Sequence, residues 1–309
     1  MSVATTIRHE PLLLRHPANP ILTAKDWPYS INSVFNAGAT LLADGSTLLL
    51  CRVEDRRGLS HLCAARSRNG VDNWQIDPEP TLMPNPKEYP EEIWGIEDPR
   101  ITFVPELQQY AVTYTSYSRG GPGVSLALTK DFRSFERYGV IMSPDDKDSA
   151  LLPRRIDGCW VLIHRPMTPL GAHMWISYSP DLRYWGRHRL MLEARRGAWW
   201  DANKIGYRRL PSRLPEGGSR FTTECGTRLR AVCIDWAWPC LTWRIPPSVY
   251  CEGIRGSLGQ RPTTNATAMS MMLCFPADTR RTPMATLSIF TMELPIARLP
   301  WPGPVFGLY

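Results

Sequence analysis

Val, Ile, Leu and aromatic residues gather in short runs bounded by Gly, Pro, Asp and Asn through the first two thirds of the chain. Almost no stretch shows the three-to-four-residue spacing of an amphipathic helix. Residues 36–53, 101–117, 124–128, 160–164 and 174–178 read as strands, so the predicted class is all-β. A weak repeat organises them. Ala64-Ala65-Arg66-Ser67 leads to Asn73-Trp74, Leu126-Ala127-Leu128-Thr129-Lys130-Asp131 leads to Phe135, and Ile176-Ser177-Tyr178-Ser179-Pro180-Asp181 leads to Trp185. Each is a strand that ends in a Ser/Thr-x-Asp-like turn with an aromatic residue beyond it. Recurrence at blade-sized intervals, roughly 40–60 residues, predicts radially repeated four-stranded sheets, hence a β-propeller. Periodicity alone leaves a β-sandwich with similar turns as the alternative.

Composition changes this picture at one place. The 309 residues suffice for one large or two ordinary domains. Every Lys and every His lies at or before Lys204, whereas the last hundred residues carry Arg as their only cation and five of the eight Cys. Most of the net charge of +7 belongs to that tail, since 24 Lys and Arg nearly balance 23 Asp and Glu before Tyr207. With no compact basic stripe interleaved with aromatics in the first two thirds, nucleic acid is not an expected partner. Residues 1–22 intersperse charges among apolar residues, unlike a secretory signal, and nothing resembles a membrane span. Cys51, Cys63 and Cys159 lack metal-ligand spacing and read as buried, reduced thiols, so a cytoplasmic setting is expected.

Carboxylates and cations cluster at strand ends, in a pattern suited to a neutral polyol and an anion. In order these segments are Phe35-Asn36-Ala37-Gly38-Ala39, Cys51-Arg52-Val53-Glu54-Asp55, Gly95-Ile96-Glu97-Asp98-Pro99-Arg100-Ile101, Lys147-Asp148, His164-Arg165-Pro166 and Trp200-Asp201-Ala202-Asn203-Lys204-Ile205-Gly206. The ordered set resembles glycoside hydrolase family 130, the mannoside phosphorylases and related mannosidases, over residues 17–206. The resemblance implies a five-bladed β-propeller with its site on the central axis. Residues 1–206 then form the first blades of a single propeller domain, and 207–309 form an aberrant segment that leaves the last blades poorly specified.

The family pattern would continue with a Tyr-His-Gly-Val-Arg strand, an Asn-Asp-Val-Val-Phe-Pro-Cys-Gly segment and a final Tyr-Tyr-Gly-Ala-Ala-Asp. None is present as written. All three reappear when each codon is rebuilt from the last base of one residue and the first two of the next, across Phe221 to Gly226, Ser270 to Asp278 and Phe290 to Ile296. Met271-Met272, for instance, must give Asp. Pro215-Glu216-Gly217 still fits in frame, which places a shift of reading frame at about Gly217-Gly218. Residues 207–214 fit the family pattern poorly and stay unassigned.

Asp98 is the expected general acid. On a regular strand, Glu97 and Asp98 point to opposite faces and cannot form the facing pair of an ordinary glycosidase. One acid then needs a nucleophile that is not a side chain, and inorganic phosphate is already anionic and attacks with inversion. The resemblance assigns phosphate to Lys147, Arg165 and Lys204, with a fourth cation, a His, lost where Thr222 and Thr223 stand. It sets Asn36, Arg52, Asp55 and Asp201 near the sugar, and implies that the acid passes its proton through the sugar's own 3-hydroxyl. A late sugar-binding Asp is lost with the tail.

Each assignment has a plainer rival. Asp98 is a turn carboxylate on Arg100, Arg52–Asp55 and Lys147–Asp148 are surface ion pairs, His164 is a core histidine, and Trp199 and Trp200 are packing residues. The expected activity is inverting phosphorolysis of β-mannosides to α-mannose 1-phosphate, with phosphate as co-substrate and no metal or organic cofactor. A β-mannoside hydrolase and an inactive carbohydrate-binding propeller are the alternatives. Acceptor and linkage are not specified, and a homo-oligomer is compatible with the sequence.

Overall fold

The computed structural model describes residues 13–197 and 202–207, with four further strands at 223–225, 228–230, 271–276 and 288–291. The elements follow one another as antiparallel sheets. After β1 (Leu13–Arg15), the first sheet takes β2 (Ser33–Leu41), β3 (Thr47–Glu54), β4 (Ser60–Ser67) and β5 (Gln75–Ile76) in chain order. The second takes β6 (Ile96–Val104), β7 (Gln109–Ser118), β8 (Gly121–Thr129) and β9 (Glu136–Met142). The third runs β10 (Asp146–Leu151), β11 (Trp160–Thr168), β13 (Met174–Ser179) and β14 (Gly186–Leu192), with β12 (Gly171–Ala172) extending β11. A fourth sheet joins β15 (Gly206–Tyr207), β16 (Thr223–Cys225) and β17 (Arg228–Arg230). In the fifth, β18 (Met271–Pro276) lies between β1 and β19 (Ser288–Thr291), so the first described strand shares a sheet with the last two described strands.

The first strands of successive sheets neighbour one another, β2 on β6 and β6 on β10, which makes them the inner edges of blades. The molecule is a five-bladed β-propeller. Three blades have four main strands each, and these are the ones whose strands were legible. Among the described residues the helical elements are two single 3₁₀ turns, Ala24–Asp26 and Pro90–Glu92, and no helix is long and apolar enough to cross a membrane.

Blade sheets stack face to face, so both faces of a strand are buried and simple alternation disappears. Leu48, Leu49 and Leu50 are all fully buried for this reason. Leu48, Leu50 and Leu62 of the first blade pack with Ile96, Val112 and Tyr114 of the second. Leu126 and Leu128 of the second pack with Trp160 and Leu162 of the third. Cys51 and Cys63 are register partners across β3 and β4, free and buried.

The sequence repeat is a repeated turn between the third and fourth strands of each blade. Gly70, Phe132 and Leu182 occupy equivalent positions and all have positive φ, at 69°, 56° and 69°. Asp131 Oδ1 accepts from the amides of Arg133 and Ser134 at 2.9 and 3.0 Å, and Asp181 Oδ1 accepts from those of Arg183 and Tyr184 at 2.9 Å each. Asn69 plays the same part in the first blade, accepting from Val71 N and Asp72 N at 2.9 and 3.1 Å. Of the aromatic residues beyond, Phe135 and Trp185 pack onto the interblade cores, and Trp74 packs onto the core that the first blade forms with Leu22 and Trp27.

Candidate active site

A second repeat, not visible in the sequence, builds the site. Each of the three inner strands carries a break in register, between Phe35 and Gly38 in β2, Glu97 and Arg100 in β6, and Lys147 and Ala150 in β10. Inside each break sits a polar residue with left-handed backbone: Asn36 at φ 46°, Asp98 at 49° and Asp148 at 52°. Bulges of this kind redirect one side chain out of the pleat, and left-handed non-glycine residues concentrate where function requires them. The breaks therefore aim Asn36, Asp98 and Asp148 out from three successive inner strands. Gly38 lets the strands approach, since a Cβ there would lie 2.7 Å from the Pro99 carbonyl oxygen.

Asp98 is 8% exposed. Its Oδ1 accepts from Asn36 Nδ2 at 3.0 Å and from Arg52 Nη1 at 3.1 Å. The same guanidinium donates from Nη2 to Glu97 Oε1 at 2.9 Å and from Nε to Ser60 Oγ at 2.9 Å, and it lies over the Phe35 ring at 4.5 Å. Arg52 is thus a rigid fork that holds both carboxylates.

This corrects the expectation that Glu97 and Asp98 face opposite ways. The bulge and the positive φ of Asp98 break the alternation on which that expectation rested, and the two carboxylates converge on one cation. Burial pushes the Glu97 carboxyl above its usual range, Arg52 opposes this, and the charge of Asp98 adds to the rise. The plainer readings of these residues also fail: Arg100 Nη1 donates to the backbone carbonyls of Asp98 and Pro99 at 3.2 Å each, not to the Asp98 carboxylate.

Asp148 is the second centre. Arg165, with 0% exposure, donates Nη2 to Asp148 Oδ2, and Arg100 Nη2 lies 3.8 Å from Asp148 Oδ1. Burial disfavours charge on Asp148, but Arg165, Arg100, Lys147 and Lys204 together outweigh it and hold the carboxyl down at about 2. Four cations from three strands and the segment after the third blade therefore share one carboxylate. Lys147, Arg165 and Lys204, expected as a group, are brought together, whereas Arg100 and Asp148 were not expected to join them. The unused donors are informative: Arg165 Nε and Nη1 and Arg100 Nε are buried without a hydrogen-bond partner.

Behind this cluster, His164 Nδ1 lies 2.5 Å from Asp146 Oδ2 and His164 Nε2 lies 2.7 Å from Ser177 Oγ, while Asp146 Oδ1 accepts from Arg165 N at 3.1 Å. His164 is thus a buried, satisfied histidine that fixes the backbone carrying Lys147 and Arg165. Asp55 lies at the same end of the first blade but in the β3–β4 turn. Its Oδ1 accepts from Arg57 N and Leu59 N at 2.8 and 3.0 Å, and its Oδ2 from Arg57 Nε and Nη2 at 2.9 and 2.8 Å. It is not paired with Arg52. Asp201, Trp199 and Trp200 lie outside the described residues.

A carboxylate clasped by an amide and a guanidinium thus stands on the inner strand next to the one that carries Asp148 and its group of cations. The chain belongs to glycoside hydrolase family 130, described as beta-1,4-mannooligosaccharide phosphorylase, which matches residues 15–217. It is 32% identical over 215 residues to the beta-1,4-mannooligosaccharide phosphorylase of Ruminococcus albus, covering 67% of this chain and 62% of that protein. It is 36% identical over 161 residues to the beta-1,2-mannobiose phosphorylase of Listeria innocua, covering 52% and 43%. Among solved structures, the Listeria innocua beta-1,2-mannobiose phosphorylase in complex with beta-1,2-mannobiose matches at TM-score 0.62 and 25% identity, over 72% of this chain and 78% of that one. A thermostable family-43 glycoside hydrolase matches at TM-score 0.55 and 12% identity over 94% of this chain and 99% of that one, a likeness of fold alone.

Proposed function

We propose that this chain carries the site of an inverting phosphorylase acting on β-mannosides. Phosphate attacks the anomeric carbon from the face opposite the leaving oxygen, Asp98 supplies the proton that the leaving oxygen takes up, and the product is α-mannose 1-phosphate. Phosphate is the co-substrate, and no metal or organic cofactor takes part. The observation that carries this reading is the group of four cations, Arg165, Arg100, Lys147 and Lys204, gathered around the single carboxylate of Asp148. Four cations against one carboxylate leave an excess of positive charge, which a bound oxyanion balances. A hydrolase needs only water and has no use for such a group.

Asn36 and Arg52, which clasp the acid, also face where a sugar hydroxyl would sit, and Asp55 and Asp201 complete that assignment as expectations from the family. We further propose that the tail is read out of frame from about Gly217, which removes one phosphate-binding His and one sugar-binding Asp from the finished protein. In support of this, the family match ends at residue 217. Sequencing the gene again tests it directly: a single frame with no missing base through this region removes the proposal.

Phosphorylase and hydrolase separate in one assay on the chain with its frame restored after Gly217. With β-mannobiose, mannose 1-phosphate should form only when phosphate is present. Free mannose produced at the same rate without phosphate would return the site to a hydrolase.

A further inference from the structure

A chain of four hydrogen-bonded side chains crosses the third blade from its inner strand to its outer one. Asp146 of β10, His164 of β11 and Ser177 of β13 are buried, whereas His188 of β14 is exposed. Asp146 Oδ2 lies 2.5 Å from His164 Nδ1, His164 Nε2 lies 2.7 Å from Ser177 Oγ, and Ser177 Oγ lies 2.7 Å from His188 Nδ1. The outer end is made by a further break in register. Between the pairs Ile176–Arg189 and Tyr178–Gly186, Ser177 faces two residues of β14, Arg187 and His188, and Arg187 is left-handed at φ 49°. A bulge re-aims one side chain, and this one sets an exposed imidazole on a buried hydroxyl.

Donor and acceptor chemistry fixes the direction of each link. An ionised Asp146 only accepts, so His164 Nδ1–H donates to it, Ser177 O–H donates to His164 Nε2, and His188 Nδ1–H donates to Ser177 Oγ. A proton taken from water on His188 Nε2 can then pass inward: the His188 Nδ1 proton moves to Ser177, and the Ser177 proton moves to His164 Nε2. His188 ends neutral and His164 ends as an imidazolium against Asp146. No hydrogen bond is lost, because Ser177 now donates to His188 Nδ1 and accepts from His164 Nε2. The two states differ by one positive charge behind the segment whose amide, Arg165 N, is held by Asp146 Oδ1. The other charged or titratable groups on these strands are Lys147 and Asp148 on β10, Arg165 on β11, Tyr178 on β13, and Arg187 and Arg189 on β14. Ser177 is the register partner of Leu162, on the face packed against the second blade, and the titratable member of that cluster is Tyr138, beneath the Arg183 guanidinium. Lys147 also acts on Glu97, across the site.

We propose that Asp146, His164, Ser177 and His188 form a proton relay that couples binding of an oxyanion at the Lys147, Arg165 and Lys204 group to uptake of one proton from solvent. An oxyanion favours positive charge behind its site and so favours the imidazolium state of His164; by reciprocity the imidazolium strengthens binding of the oxyanion. Histidine is the side chain suited to this, since it changes charge between about pH 5 and 8. His164 is then a positioning residue that supplies charge as well as backbone support. This inference rests on the reading of the cation group as the phosphate site.

The probe is inorganic sulfate, whose charge stays constant over this range while that of phosphate does not. Calorimetric titration of the full chain at about pH 6 and about pH 8, in buffers of different ionisation enthalpy, reads affinity and proton uptake together. The chain should take up a proton with sulfate and bind it on the order of tenfold more tightly at the lower pH. Ser177→Ala leaves His164 Nε2–H without an acceptor, and His188→Leu, a change at the surface, leaves the Ser177 hydroxyl proton without one. Both disfavour the imidazolium, so both variants should bind sulfate at the higher pH and lose the uptake and the pH dependence. Neither touches Glu97, so a dependence owed to Glu97 would survive in both. Sulfate bound equally at the two pH values without uptake, or uptake unchanged in His188→Leu, overturns the relay alone. A chain that binds neither sulfate nor phosphate at either pH overturns the phosphate reading together with it.

Discussion

Asp98→Asn, made in the chain with its frame restored after Gly217, is expected to lower kcat for phosphorolysis by a factor on the order of 10²–10⁴ while KM changes little. The amide can still accept from Asn36 and Arg52 through its oxygen, so the fork and the sugar contacts persist and only the proton is lost. Glu97→Gln is the necessary companion. Both carboxylates rest on Arg52, and Glu97 is the one whose protonated form is favoured by burial. Its replacement should cost far less, because Glu97 acts by holding Arg52 and not by donating to substrate. A nearly unaffected Asp98→Asn enzyme beside an inactive Glu97→Gln enzyme would transfer the acid role to Glu97.

Asp148→Asn is expected to have the largest effect on stability. Arg165 is fully buried, and its Nη2 donates to the Asp148 carboxylate. Removing one member of such a pair leaves an uncompensated charge in the interior, at a cost of ~3–5 kcal/mol. Arg165→Leu in the same chain should recover much of that loss, which a thermal or denaturant melt of the single and double variants would measure. The acid response follows with a definite sign. The folded chain holds Asp148 at about 2, below its ordinary 3.8, so it favours the ionised form. The contribution, roughly 2 kcal/mol, is complete above about pH 4 and is lost as pH falls toward 2. Asp148→Asn should therefore remove that part of the acid lability, and an unchanged acid limb would contradict the assignment.

Much of this architecture could be read from residues alone. The Ser67, Thr129 and Ser179 turns were legible because their chemistry is local: a side-chain oxygen caps amides two or three positions on. The motifs holding Asp98, Lys147, Arg165 and Lys204 were legible because they stand at strand ends in a fixed order. Two things were not. A bulge does not show in the hydrophobic alternation, so treating Ile96–Val104 as a regular strand sends Glu97 and Asp98 to opposite faces. The signal was nevertheless available, since Asn36, Asp98 and Asp148 are residue types that tolerate left-handed backbone and each stands near the start of an inner strand. Asp148 was passed over for a related reason. Beside Lys147 it reads as half of a surface pair, and only the contact of β10 with β6 and β11 shows that Arg165 and Arg100 are its true partners.

The most direct test of the whole account is synthesis in reverse, from α-mannose 1-phosphate and a mannose or glucose acceptor, followed by phosphate release. The chain as it stands and the chain with its frame restored after Gly217 are compared side by side. The account predicts release by the restored chain and none by the other, because the cation group lacks its His and the sugar site lacks its Asp. Equal release by both chains would contradict the reading of the tail, and no release by either would contradict the phosphorylase.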